Sequence, residues 1–439
     1  MSEILALMGH SHHSHAKIRV PPRTQRLLLL ALAPFLLATL IGFAILWPDG
    51  KGLKLQGAFS QEFKASVSDV ASRPCPDVPG QENFICSTVT VRLAEGEDSG
   101  ESFILDFSTG PQTRLVQVGN SVIVGSVDQP QEAAPGTSIP PKYFFLDFDR
   151  RVPLLALAIA FSLVVIALSR WRGLAALAGL AISLLILIKF VLPAILEGSD
   201  PLWVAIIGGA MIMFLALYMA HGLNAATTTA VLGTLASLLL TGLLALFFVN
   251  ILIFTGAGSE EAAFLQISQQ QVNLQGLLLA SIIIGTLGVL DDVTVTQASA
   301  VWELQKANPG YGIAELYRAA IRIGRDHIAS TVNTLVLAYA GASLPLLILF
   351  SVSNRGLSQV INTETVAEEI VRTFVGSIGL VASVPITTGL AALVVTSGRR
   401  GHGREPLNQA NQLEPDLLGE EPLGGYKPPR RERDFWDEE

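Results

Sequence analysis

Two adjacent carboxylates, Asp291 and Asp292, end an apolar run at residues 276–290 that is long enough to enter a lipid bilayer. An ionised side chain is costly in hydrocarbon, by several kcal/mol on insertion scales. Transport proteins nevertheless place carboxylates there, because a buried Asp can change its protonation as it alternates between two surroundings. The pair therefore indicates a group that binds protons or cations within a membrane.

The geometry of a helix separates the two carboxylates. Consecutive helical residues point about 100° apart, so Asp291 and Asp292 cannot share one direction. Asp292 shares its face with small and polar residues, which predicts contact with other helices rather than with lipid. These residues are Gly285, Gly288, Thr296 and Ser299. Asp292 is therefore predicted to be the functional carboxylate, whereas Asp291 could equally point toward the membrane surface. The alternative is that both groups only cap the span or bond neighbouring helices.

Other polar residues are candidates for the same path. Asn333 lies in the next apolar segment, at a depth that suits contact with Asp292. Glu369 and Arg372 stand at the start of the last apolar segment. There Glu368 precedes Arg372 by four residues, the spacing of a helical ion pair. The predicted transport or polar path comprises Asp292, Asp291, Asn333, Thr296, Ser299, Glu369 and Arg372.

The elements that must position these residues are membrane helices. Half of the 439 residues are hydrophobic and only 15% are charged, which predicts a polytopic membrane protein in contact with the lipid bilayer. Hydropathy gives spans of roughly 20 residues, the length that crosses a core of about 30 Å. Eight spans are predicted, at residues 27–47, 152–169, 174–196, 201–221, 227–254, 274–298, 330–351 and 371–396. The predicted fold class is an all-α polytopic membrane bundle of about eight transmembrane helices.

The positions of Lys and Arg predict the orientation, because basic residues of short loops stay on the cytoplasmic side. Such residues follow the second, sixth and eighth spans and are scarce in the alternate loops. Both termini are therefore predicted to be cytoplasmic in a bacterial cytoplasmic membrane. The span at 27–47 is preceded by basic residues but lacks a small-residue cleavage site, which predicts a retained signal anchor. Residues 151–398 would form a seven-helix membrane domain.

Residues 51–150 differ from the rest of the chain. Alternating segments, separated by Gly, Asp and Pro, predict strands and turns. These segments lie at 87–93, 102–107, 114–118 and 121–124. The interval is predicted to be a small extracytoplasmic β domain inserted after the first helix.

The two cysteines of the chain, Cys75 and Cys86, both fall in this domain. On an external face they would be oxidised, and a disulfide closing such a loop stabilises by roughly 2–4 kcal/mol. A metal or redox site is the alternative, but the spacing and the absence of His partners match neither. A structural disulfide is therefore predicted.

The two ends of the chain are predicted to be disordered cytoplasmic segments, at 1–26 and 399–439, because they lack the apolar content to fold. The leader contains four His residues within 10–15, which could hold a transition metal. The alternative is a flexible polar leader that binds metal incidentally, since no carboxylate or cysteine completes a site. No metal site is predicted.

Motifs of common enzymes are missing from the sequence. It contains neither a Walker loop, nor a nucleophile elbow, nor a His-Glu-x-x-His run, so the chain is predicted not to be an enzyme and to need no cofactor. The net charge of −8 does not argue for a nucleic-acid partner.

Several ordered motifs resemble those of the bacterial YibE/F-like multi-pass membrane proteins. They are GLNAATTTAVLGT at 222–234, GVLDDVTVTQASA at 288–300, GRDHIASTVNTL at 324–335, EIVRTFVGSIG at 369–379 and PIT at 385–387. The external β domain ahead of the bundle is similar to that of the longer members. The resemblance implies a fold and a membrane location rather than a particular reaction.

Two functions remain open from the sequence. The first is a permease or transporter of an unknown small solute or ion, with Asp292 as the titrating group and Asn333, Thr296 and Ser299 assisting it. The second is a structural or assembly factor of the cell envelope that binds a protein partner through its β domain. Neither the substrate nor the oligomeric state follows from the sequence.

Overall fold

The computed structural model describes residues 20–49, 61–75, 84–96, 98–109, 116–126, 142–268, 272–352 and 355–397. Within these residues the chain is mostly helical, with a small antiparallel sheet after the first helix. The helices are α1 (Pro22–Ile45), α2 (Arg151–Ile186), α3 (Leu192–Leu196), α4 (Pro201–His221), α5 (Ala225–Ile251), α6 (Glu260–Ser268), α7 (Leu274–Ala307), α8 (Ile313–Ala342), α9 (Leu344–Val352), α10 (Leu357–Ile361) and α11 (Glu364–Thr396), with a π-helical turn at Leu187–Val191. The strands are β1 (Gln61–Pro74), β2 (Ile85–Leu93), β3 (Ser102–Thr109), β4 (Ser121–Ser126) and β5 (Tyr143–Phe148).

In the described part of the chain, six helical segments are long and apolar enough to cross a membrane. A seventh is obtained if α8 and α9, which meet at a bend of 63°, count as one span. The predicted spans at 152–169 and 174–196 fall in a single helical run, Arg151–Leu196. That run is interrupted at Arg170, whose φ of 51° is not helical. A polytopic membrane protein is thus confirmed, while the count of eight spans stays a prediction.

The five strands form one antiparallel sheet in the order β3-β2-β1-β4-β5. This order places β4 beside β1 and is that of a Greek key. β5 also contacts β3, so the sheet curls toward a closed barrel. A bulge between Val67 and Asp69 bends the long first strand, as bulges do. Alternate residues of β2 and β4 are fully buried and form its core with their neighbours, among them Val89, Val91, Val122 and Val124.

The predicted disulfide is confirmed: Cys75 and Cys86 are bonded, with their Cα atoms 4.9 Å apart, and they join the end of β1 to the start of β2. Of the predicted strand segments, those at 87–93, 102–107 and 121–124 lie within β2, β3 and β4. The prediction of a strand at 114–118 is wrong where that segment is described, since residues 116–118 form no strand.

The centre of the bundle consists of α5, α7 and α11, each of which contacts the other two. α4 packs on α7 and on the run that contains α2, and α8 packs on α11 and α7. The largest buried cluster lies where these helices meet and includes Phe190, Met213, Leu290 and Leu380. Most of the residues at 151–169, by contrast, are exposed, as expected of a helix surrounded by lipid.

Residues 313–328 have an amphipathic pattern, which is typical of a helix lying on a membrane surface. The structure makes these residues the first half of the continuous helix α8, with Leu316 and Ala320 buried against the bundle. The pattern does correspond to a helix with one apolar face, but that face contacts protein. The His residues at 10–15 and both predicted disordered ends, apart from residues 20–26, lie outside the described residues.

Candidate polar site within the helix bundle

The three central helices approach closely because glycines face threonines. On α5, Gly233 lies against Thr387 of α11, so that even a methyl group at Gly233 would overlap the threonine side chain. Two turns further along, the relation is reversed, with Thr241 of α5 against Gly379 of α11. Small residues of this kind permit close packing of helices in membranes, where the hydrophobic effect does not drive association.

Most buried hydroxyl groups in this core bond to their own helix. Ser237 donates to the carbonyl of Gly233 at 2.8 Å, and Thr241 donates to that of Ser237 at 2.8 Å. Thr286 of α7 bonds the carbonyl four residues before it in the same way, at 2.6 Å. These bonds satisfy the hydroxyl without any ligand, so the hydroxyls alone do not indicate a transport path.

A few polar contacts do cross between helices. The side-chain oxygens of Thr234 on α5 and Thr294 on α7 lie 2.6 Å apart, and both residues are fully buried. Gln297 of α7 donates through its amide nitrogen to the carbonyl of Ala320 on α8 at 3.0 Å and to Thr388 on α11 at 2.7 Å. These contacts place a polar centre where α5, α7, α8 and α11 meet.

Asp291 borders this centre. Thr294 donates a hydrogen bond to the backbone carbonyl of Asp291 at 3.2 Å, and the hydroxyl of Thr234 lies beside the Asp291 carboxylate. The Oδ1 atom of Asp291 is inaccessible to solvent and has no hydrogen-bond partner among the described residues. No basic side chain in that part of the chain forms an ion pair with it. A buried carboxylate without a cationic partner is the arrangement that favours uptake of a proton or a cation.

The orientation predicted for Asp292 is wrong. Asp292 is exposed, as are Gly285, Gly288, Thr296 and Ser299 along the same face of α7. The opposite side of α7 carries the packed residues, among them Leu287, Leu290 and Thr294. The helical period correctly predicts that the two carboxylates point in different directions. The prediction that Asp292 is the one facing the bundle is wrong, because α7 packs through its bulkier face and not through its small and polar face. The face of Asp292 borders membrane, water or another chain.

The remaining predicted path residues are not gathered around Asp291. Thr296 and Ser299 follow Asp292 on the exposed face of α7, and Asn333 is exposed on α8. Glu369 and Arg372 form a partly buried ion pair near the start of α11. Arg372 also donates to Ser281 of α7 at 3.2 Å, which ties α11 to α7.

The expected ion pair between Glu368 and Arg372 is corrected by this geometry. Arg372 pairs with Glu369, three residues before it, because both side chains point toward α7 and α8. Glu368 points instead toward the connection after α5 and is only 7% exposed.

Three residues of the polar centre are missed by the sequence analysis: Thr234, Thr294 and Gln297. Gln297 offered a signal, since an amide in a mostly apolar span needs partners on neighbouring helices. The two threonines offered none, because nothing in the local sequence distinguishes a hydroxyl that bonds across helices from one that bonds its own helix. Within the described residues, no group of three or more His, Cys, Asp or Glu side chains is arranged to hold a metal ion.

Comparison with known proteins agrees with this architecture. A family model described as "YibE/F-like protein" matches residues 157–397, more than half of the chain, and includes α4 to α11. No curated protein and no solved structure matches the chain. The matched interval contains Asp291 and every helix that packs around it, and the chain therefore belongs to the YibE/F-like family.

Proposed function

We propose that this protein is a permease in which Asp291 binds and releases a proton as a small solute or ion crosses the membrane. The observation that carries the proposal is the buried Oδ1 atom of Asp291, which lies beside the hydroxyl of Thr234 and has no hydrogen-bond partner among the described residues. An uncompensated carboxylate in a membrane helix is costly, so protonation or a bound cation must offset its charge for part of the cycle.

The helices around Asp291 supply a means of movement. α11 contains Pro385, which removes one hydrogen bond from the helix close to Thr387 and to Thr388, the partner of Gln297. A helix weakened at this point can bend beside the carboxylate and change its access to water. The side-chain oxygen of Thr387 is buried against Gly233 and lacks a partner among the described residues, so no hydrogen bond of this hydroxyl opposes such a bend.

The orientation proposed for the transport cycle follows the charge of the loops. Basic residues at the end of α7 and in α8, including Lys306, Arg318 and Arg322, favour the cytoplasmic side for this end of the bundle. The sheet would then lie outside the cell, which suits its disulfide. In this arrangement Asp291 lies nearer to the cytoplasmic side.

The test uses the full chain in liposomes that contain a pH-sensitive dye. Proton movement is measured after imposing gradients of protons, Na⁺, K⁺ and a panel of small organic acids. We expect Asp291→Asn, which keeps the shape but removes the charge, to lower the stimulated flux at least about tenfold. Asp292→Asn is the matched control, since it makes the same change one residue away on an exposed face. Its flux is expected to equal that of the unaltered chain.

Three results would overturn the proposal: no solute in the panel stimulates flux, the two variants behave alike, or Asp291→Asn transports normally. A companion deletion of residues 61–148 distinguishes the envelope-partner function. The deletion variant is also compared in cells with a strain that lacks the protein. If the two strains behave alike while the variant still supports flux in liposomes, binding of an envelope protein is the better account of what the cell requires.

A further inference from the structure

A second buried carboxylate, that of Glu368, lies at the opposite end of the bundle, near the turn at residues 255–256 that follows α5. This turn is held by a neighbouring carboxylate, that of Glu364, the first residue of α11. Its Oε1 atom accepts hydrogen bonds from the backbone nitrogens of Thr255 at 2.6 Å and Gly256 at 2.8 Å, and from the Thr255 hydroxyl at 2.8 Å. These three hydrogen bonds join the turn to the start of α11.

Glu368 lies one helical turn after Glu364 and faces the same turn. Its side chain is only 7% exposed, and its Oε1 atom has no hydrogen-bond partner among the described residues. Gly258 packs closely against this oxygen. A methyl group added at Gly258 would lie only 2.9 Å from the Oε1 atom of Glu368. Glu364 and Glu368 are four residues apart on one face of α11, so the two carboxyl groups lie near each other and their charges interact.

A buried carboxylate beside a second carboxylate is costly unless one of the two carries a proton. Glu368 is the more buried of the two, and its Oε1 atom has no hydrogen-bond partner among the described residues, so the proton belongs on Glu368. We propose that Glu368 and Glu364 form a proton-binding site that fastens the segment 254–258 to α11. Loss of the proton leaves two like charges in contact, one of them buried, and releases the segment.

The surroundings favour a proton over a metal ion. The segment 255–258 contributes only Thr, Gly, Ala and Gly and therefore no charged side chain. On α11, the charges that act on Glu368 are Glu364 and Arg372, and Arg372 is already paired with Glu369. Glu260 and Glu261 of α6 are exposed. A hard cation needs six or more oxygen ligands, whereas the buried oxygen of Glu368 faces the packed backbone of Gly258.

The test places a reporter thiol in the segment, as Ala257→Cys in the full chain in detergent. The two native cysteines are joined in a disulfide, so the new thiol is the single target for a maleimide. Labelling rates are measured from about pH 5 to about pH 9, a range that covers the titration of carboxyl groups perturbed by burial. Each rate is divided by the rate for the same thiol in a Glu368→Gln chain. The ratio is thereby corrected for the pH dependence that comes from ionisation of the thiol itself.

We expect this ratio to be near unity at low pH, because the amide introduced by Glu368→Gln mimics the protonated carboxyl group. The ratio should then rise with pH, by up to about tenfold per pH unit for one proton. Glu261→Gln makes the same change at an exposed residue of α6 and should leave the pH dependence intact. Thermal unfolding supplies a second measurement, in which Glu368→Gln should be at least as stable as the unaltered chain at about pH 9.

A ratio that stays flat across the pH range would overturn the proposal, as would a Glu368→Gln chain that is less stable than the unaltered chain at high pH. Suppression of the high-pH labelling by Na⁺, K⁺, Mg²⁺ or Ca²⁺ would identify a metal ion as the occupant and would also overturn it. None of these measurements depends on flux. They therefore test the proton site at Glu368 independently of the transport role proposed for Asp291.

Discussion

Thr234 of α5 and Thr294 of α7 contact each other through side-chain oxygens 2.6 Å apart, in a part of the bundle from which solvent is excluded. Thr294 also donates to the backbone carbonyl of Asp291 at 3.2 Å. The contact therefore joins two of the three central helices next to the candidate proton-binding group.

A double-mutant cycle measures the strength of this contact. Thr234→Val and Thr294→Val keep the volume of each side chain and remove the hydroxyl. Interhelical hydrogen bonds in membranes couple by about 0.6 kcal/mol on average and up to about 1.7 kcal/mol. We expect a coupling free energy in this range, measured from unfolding in mixed detergent micelles. Thr334→Val is the control, because Thr334 is exposed and bonds only its own helix, and it should show no coupling to Thr294→Val.

The close approach of α5 and α11 predicts a strong effect of a single methyl group. Gly379→Ala places that group on the side chain of Thr241, and the helices must move apart to accept it. We expect the free energy of unfolding to fall by about 1–3 kcal/mol. Gly341→Ala is the control, because no atom lies within 4 Å of the added methyl group and the residue is also helical. A result in which the two variants are equally stable would contradict this packing of glycine against threonine.

Gln297 offers a third test, because one side chain joins three helices. Gln297→Leu preserves the approximate size and removes the hydrogen bonds to the carbonyl of Ala320 and to Thr388. Each hydrogen bond contributes about 0.5–1.5 kcal/mol, so we expect the loss of both to lower the free energy of unfolding by about 1–3 kcal/mol. Proteolysis between α7 and α8 should become faster as well. Thr296→Val changes the neighbouring exposed residue and should leave both measurements unchanged.

The sequence was sufficient for those features that depend on composition or on local chemistry. Apolar length identified the membrane helices, and the spacing of Cys75 and Cys86 without His partners identified the disulfide between them. The strands β2, β3 and β4 followed from alternation. β1 and β5 did not, because β1 is mostly polar with an exposed outer face and β5 (YFFLDF) lacks alternation. Their places in the sheet depend on partners distant in the chain.

The choice between Asp291 and Asp292 shows where sequence reasoning reached its limit. The period of the helix separates the two directions, but which direction faces protein depends on the neighbours of α7. Glycine and hydroxyl residues favour helix contact on average. In α7, however, the contacts to α4 and α5 are made by Leu287 and Thr294, and the glycines come from the partner helices instead. In each contact one helix supplies the small residue and its partner supplies the larger one. The sequence of a single helix does not reveal which of the two it supplies.

The sheet provides a prediction about pH. Asp98, in the β2–β3 turn, accepts a hydrogen bond from Tyr143 at 2.6 Å and forms an ion pair with Lys142, so it connects that turn to the start of β5. The hydrogen bond from Lys142 lowers the pKa of Asp98 below its ordinary value of 3.8. A carboxyl whose pKa is lowered by folding stabilises the fold above the unfolded value, and that contribution is lost as the pH falls through the folded pKa.

Asp98→Asn should therefore weaken the attachment of β5 at neutral pH and have less effect in strong acid, where the native Asp98 is itself protonated. Hydrogen exchange of the backbone amides at residues 143–148 measures the attachment directly, and exchange should be faster in the variant at about pH 7. Glu95→Gln removes a charge from an exposed residue near the same turn and should not change this exchange. If the two variants exchange alike at neutral pH, or if the difference grows as the pH falls below 3.8, the contact of Asp98 with Lys142 and Tyr143 does not hold β5 in the sheet.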